Sequence, residues 1–113
     1  LESEVDLHPA KVVRSAVATF TDLPNIGPAI AKDFIFLGYK VPSDLNGVGA
    51  WRLYERLCLK SKQYQDPCVL DVFLSVEDFL TGNEPKLWWK YTSDRKKRYS
   101  GAIDEIAKSF TKS

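Results

Sequence analysis

Apolar side chains recur along this chain three or four positions apart, and nowhere do they alternate for long enough to form a strand. In HPAKVVRSAVATF, Val13, Ala16, Val17 and Phe20 keep helical spacing and Pro9 suits a first helical turn, which predicts a helix over residues 9–20. TDLPNIGP interrupts it. Pro28 can then restart a helix carrying Ile30, Ala31, Phe34, Ile35 and Leu37, which Gly38 ends as a left-handed cap. Ser43 is the expected cap of a short turn, and AWRLYERLCLK places Leu53, Tyr54 and Leu57 on one buried stripe with Arg52, Glu55 and Arg56 outside it. Asp66 and Pro67 repeat the pattern of cap then proline ahead of Leu70, Phe73, Val76 and Leu80, and Gly82 stops that helix. PKLWWKY is a short aromatic segment, and Ser93 opens a last helix edged by Tyr99, Ala102, Ile103, Ile106 and Phe110. Short connections between such segments imply an all-α bundle forming a single helical domain over residues 1–113.

Composition narrows this only slightly. At 113 residues, with 44% hydrophobic and 27% charged side chains, the chain has ordinary globular usage, and it has no apolar run long enough for a membrane span. The acidic opening LESEVDLH lacks the order of a secretory signal, so a cytoplasmic protein is expected. Cys58 and Cys68 match neither a CxxC redox motif nor a zinc set, even with His8 added, and are expected to be buried thiols. The net charge of +1 hides an asymmetry: residues 1–85 hold 8 basic against 12 acidic side chains, and residues 86–113 hold 8 against 3. An anionic partner would meet the basic C-terminal segment first.

The most distinctive stretch is LPNIGPAIAKDF, beginning at Leu23. Asn25 and Gly27 tolerate positive φ and flank Ile26, which can plug the groove between two helices while the backbone curls around it. Amides at the start of the following helix then point outward with the positive end of its dipole behind them, a setting that suits phosphate. LNGVGAWRLYER, beginning at Leu45, echoes the stretch and suggests a second, degenerate hairpin.

Residues 9–37 resemble a helix-hairpin-helix motif. More widely, LPNIGPAIAKDFIFLGYKVPSDL, RLYERLC, QDPCVLDVF and LWWKY together resemble the bacterial pathogenicity-locus (Cdd-type) helix-hairpin-helix family, and the first two stretches are also similar to the C-terminal domain of the TfoX competence regulators. The resemblance implies non-specific binding to the nucleic-acid backbone, with hairpin amides on phosphate oxygens and hairpin carbonyls able to hold a monovalent cation. These roles would fall on Asn25, Ile26, Gly27 and Ala29. Asn25 stands where glycine is usual, and Ala29 where many DNA-binding copies carry lysine. Lys32, one turn later, is the nearest substitute, while Asp22 and Asp33 flank the site with the opposite sign.

A second basic candidate is SDRKKRY, with Arg95, Lys96, Lys97 and Arg98 in succession near Lys86 and Lys90. Trp88, Trp89 and Tyr91 adjoin it and offer rings for core packing or for stacking on unpaired bases; adjacent helical positions diverge by about 100°, so one tryptophan of the pair is expected to be buried. Asp71, Glu77 and Asp78 read as solvated carboxylates of a helix exterior. No nucleophile motif accompanies His8, so an enzyme is not expected, and no cofactor is implied beyond the hairpin cation. Two functions follow: weak, non-specific binding of DNA or another nucleic acid through its backbone, or a protein-interaction adaptor in which the hairpin is structural.

Overall fold

The helix richest in apolar residues, Pro67–Leu80, becomes the centre of the molecule. The computed structural model describes residues 11–111, and among them are four α-helices and no strand. They are α1 (Pro28–Phe36), α2 (Ala50–Ser61), α3 (Pro67–Leu80) and α4 (Thr92–Thr111), with 3-10 turns at Arg14–Ala16 and Phe20–Asp22 before α1, at Pro42–Leu45 between α1 and α2, and at Trp88–Tyr91 between α3 and α4. The all-α class expected from the periodicity is what forms. Leu70, Phe73, Leu74, Val76 and Phe79 of α3 are buried against Leu53, Tyr54 and Leu57 of α2 and Ile103 and Ile106 of α4. The rings of Phe20, Phe34 and Phe73 continue the core to α1, at centroid separations of 5.0 and 5.5 Å. Trp51 stacks on Tyr99 at 5.6 Å and 6° between α2 and α4.

The helix expected over residues 9–20 does not form in its described part. Residues 9 and 10 lie outside the described residues, and 11–22 hold only the turns at Arg14–Ala16 and Phe20–Asp22. Val13 is 58% exposed and Ala16 is exposed, so of the expected stripe only Phe20 is buried, with Val17 packed in part against the core. Two local causes oppose a helix here: β-branched Val12, Val13, Val17, Thr19 and Thr21 are weak helix formers, and Asp22 Oδ2 accepts the Ala18 and Thr19 amides at 2.9 and 2.8 Å. Arg14 instead reaches across to α3, donating to the carbonyls of Phe79 and Asn83 at 2.6 and 2.7 Å. A cation at a helix C-terminus complements the dipole there.

Helix ends follow the expected chemistry elsewhere. Asp66 accepts the Cys68 amide at 2.8 Å, and Gly38 and Gly82 take positive φ after α1 and α3. Lys62 does the same after α2 without glycine's freedom, at φ 58°. Ser43 is not a cap; it lies inside the Pro42–Leu45 turn, and Asp44 closes that turn by accepting the Lys40 and Val41 amides. Cys58 is buried, whereas Cys68 is half-buried, and burial with the nearby Asp66 pushes its thiol above the usual range.

Asp71, Glu77 and Asp78 are not a solvated face. Asp71 is 0% exposed; its carboxylate accepts Arg95 Nε at 2.8 Å and the Thr92 hydroxyl at 2.6 Å, joining α3 to the first turn of α4. Removing one member of such a pair strands the other in a poorly solvated place. Asp71→Ala is therefore expected to lower the unfolding free energy by about 3–5 kcal/mol in urea titration, with Arg95→Ala costing far less when added to it than alone.

Acid should weaken the fold through the turn carboxylates. Backbone N–H donors hold Asp22, Asp44 and Asp66 below the usual aspartate range, led by the amides of Ala18, Lys40 and Cys68. A depressed folded pKa contributes stability that is complete above the ordinary value of about 4 and is lost as pH falls through the lowered one. The urea midpoint is expected to drop from pH 5 to pH 2, and the pair Asp22→Asn with Asp66→Asn to flatten that dependence.

Candidate nucleic-acid interface

The two glycine-containing stretches adopt the same backbone. Phe20–Asp22 and Pro42–Leu45 are each a 3-10 turn closed by an aspartate, Asp22 and Asp44. Leu23, just after the first turn, and Leu45, at the end of the second, are both buried, and then Asn25 at φ 65° and Gly47 at φ 79° turn the chain through the left-handed region. Ile26 and Val48 donate back to the leucine carbonyls at 3.4 and 3.0 Å, and Gly27 and Gly49 stand as extended N-caps of α1 and α2. The echo in the sequence is thus a repeated structural unit. Each is a 3-10 turn, a bend and a following helix; α1 precedes the second copy, whereas among the described residues no α-helix precedes the first.

Their helix N-termini differ. At the second copy Glu77, from α3, accepts the Ala50 amide at 3.0 Å, so α2 is capped from within the molecule. The second turn also borders a cleft of about 350 Å³ shared by Glu77, Asp78, Asp94, Tyr91 and Arg98, where carboxylates outnumber the one cation. Burial and the Asp78 carboxylate push the Tyr91 phenol above its ordinary range. At the first copy Pro28 has no amide hydrogen, and the N–H groups of Gly27, Ala29 and Ile30 have no acceptor among the described residues. Pro28 and Ala29 are exposed and Ile30 half-buried. Gly27 is buried, where an unpaired amide is uncommon.

The four hairpin positions therefore separate. Ile26 is wholly buried as the plug. Asn25, 5% exposed, turns its side chain inward: Nδ2 donates to Ser75 Oγ at 3.0 Å and to the Lys86 carbonyl at 2.8 Å. Gly27 and Ala29 keep unassigned amides, with Lys32 exposed one turn along α1. Asp22 is occupied by the amides it closes, and burial raises the Asp33 carboxyl.

The basic run is also divided by its helix. Arg95 faces inward to Asp71, which holds its charge more firmly. Arg98 pairs with Asp94 at 2.9 Å and lies over the Tyr99 ring. Lys96 and Lys97 are exposed, as are Lys86 and Lys90. Trp88 is half-buried and Trp89 exposed, so neither tryptophan is fully buried. The features the sequence did not reveal are Glu77 as the cap of α2 and the Asn25–Lys86 bond, both made across large sequence separations.

The pathogenicity locus family, Cdd1, matches residues 13–97. The chain belongs to this family. The match takes in both turn units, α3 and the Trp88–Tyr91 turn, and reaches Lys97 near the start of α4. The mitomycin resistance protein McrB of Streptomyces lavendulae is 35% identical over 81 residues, 72% of this chain and 77% of that protein. No solved structure matches. Among the described residues, no helix is long and apolar enough to cross a membrane.

Asn25 offers a direct test of how the first unit is held. Asn25→Gly keeps the positive φ and removes both hydrogen bonds, whereas Asn25→Ala also adds backbone strain. Stability by urea unfolding is expected to fall in the order wild type, Asn25→Gly, Asn25→Ala, with about 1–3 kcal/mol lost for the glycine variant.

Proposed function

We propose that this protein binds the nucleic-acid backbone without reading sequence, through the first turn unit as a helix-hairpin-helix element. The observation that carries the reading is the contrast between the two copies: the N-terminus of α2 already holds a carboxylate, Glu77 on the Ala50 amide, while at α1 the Gly27, Ala29 and Ile30 amides have no internal acceptor among the described residues and no carboxylate of those residues bonds that end. Unpaired donors at the positive end of a helix, Ala29 the exposed one among them, suit a phosphate oxygen. Ala29 supplies no charge, so affinity rests on counterion release by the exposed lysines, Lys32, Lys86, Lys96 and Lys97 among them, and binding is weak. Of the run of four, Arg95 contributes to folding and Arg98 is partly neutralised by Asp94.

The adaptor reading has its own support. Ile35, Phe36, Val41 and Leu59 are large apolar side chains left exposed on or beside α1 and α2, and Ile35 and Val41 border a shallow groove with Ala18, Phe20 and Ala31. A protein partner would use that side of α1, away from its N-terminus.

Ala29→Asp separates the two. An acidic residue in the first turn stabilises a helix by about 0.3–1 kcal/mol, so the variant folds, yet its carboxylate occupies the place of the phosphate. In fluorescence anisotropy at low salt, wild type is expected to bind labelled oligonucleotides with steep salt dependence, and Ala29→Asp to lose most of that binding. Each of Lys32→Gln and Lys96→Gln should lower the slope against log salt by roughly one. Absence of binding by wild type at low salt overturns the reading in favour of the adaptor.

A further inference from the structure

The Asn25 side chain does more than shape a turn. Its bond to the Lys86 carbonyl, across 61 positions of sequence, fixes the start of the aromatic segment beside the first turn unit. Three residues of chain extend no more than about 11 Å, so the Cα of Trp89 lies within that reach of Lys86. The segment is anchored at its other end as well. Tyr91 donates to Asp78 Oδ2 at 2.7 Å, and the Trp88–Tyr91 turn packs on α3.

Between these anchors Trp89 is 53% exposed, although tryptophan is on average highly buried. It meets Trp88 at 5.7 Å and 83°, edge to face, a contact that can engage no more than one face of the Trp89 ring. Exposed Lys86 and Lys90 flank the pair in sequence. A ring half open to solvent, close in sequence to exposed lysines and on a segment tied to a phosphate-suited turn, matches the chemistry of single-strand recognition: charges follow the backbone while an aromatic ring takes an unpaired base. A duplex keeps its bases stacked internally and offers nothing to such a ring.

We infer that Trp89 is a base-stacking platform and that the ligand class of this site is single-stranded nucleic acid, an inference that rests on the backbone-binding reading above. The turn amides and lysines hold phosphates, and Trp89 selects strands whose bases are unpaired. Any base suffices, because each presents a π face.

The test compares labelled oligothymidylate with a duplex of equal length, by anisotropy at low salt, for wild type, Trp89→Ala and Trp89→Phe. Circular dichroism confirms that the exposed substitutions leave the fold intact. Wild type is expected to prefer the single strand; Trp89→Ala should weaken that binding on the order of ten- to a hundred-fold with duplex binding unchanged, and Trp89→Phe should restore most of it. Equal, salt-sensitive binding of both forms, indifferent to Trp89→Ala, overturns the platform while leaving the phosphate reading in place. Binding of neither form overturns both, and loss of duplex and single-strand binding together in Trp89→Ala overturns the selectivity.

Discussion

The Asn25 amide gives both of its hydrogens to the interior, one to Ser75 on α3 and one to the Lys86 carbonyl, and much of the molecule's surface follows from that commitment. Asparagine accepts the left-handed backbone this bend requires at modest cost, and unlike glycine it carries donors that can be buried if they are paired. With those donors satisfied, Ile26 is driven into the core and α1 leaves the bend with its N-terminus facing solvent. The same bonds set the aromatic segment next to that N-terminus. Glycine at this position would give the bend without the tether.

The repeated unit shows how one backbone can be assigned two electrostatic fates. A helix N-terminus attracts negative charge whatever its sequence, because its first amides lack partners and its dipole is positive there. In the second copy the protein supplies that charge itself, from Glu77, and surrounds the bend with Asp78 and Asp94. In the first copy it supplies none. Identical local geometry therefore does not imply identical use, and the difference lies in what α3 presents to each copy.

α3 is the element through which these differences are imposed. Its Asp71 holds α4 through Arg95 and Thr92, its Glu77 caps α2, and its Asp78 fixes Tyr91 and the aromatic turn. Some of the acidic residues that give residues 1–85 their negative balance are consumed as internal acceptors. The same exchange removes Arg95 from the basic run, so lysine side chains on long solvated stems carry most of the remaining positive field.

Much of the architecture was legible in the residues alone. Period-3.6 apolar spacing set α1 to α4, Gly38 and Gly82 marked two helix ends, and Asp66 with Pro67 marked a start, because these effects act within a few residues. The echo between Leu23 and Leu45 was visible for the same reason: each bend is closed by its own aspartate and its own left-handed residue. The helix read into residues 9–20 failed in its described part because periodicity cannot say whether a stripe will find a core, and Asp22 drew the Ala18 and Thr19 amides away. Tertiary structure alone decided which cations face solvent, which helix N-terminus is filled and which tryptophan is exposed. Those outcomes depend on partners tens of residues away, and a charge or a ring has no fixed role until packing determines whether it is desolvated and what it then touches.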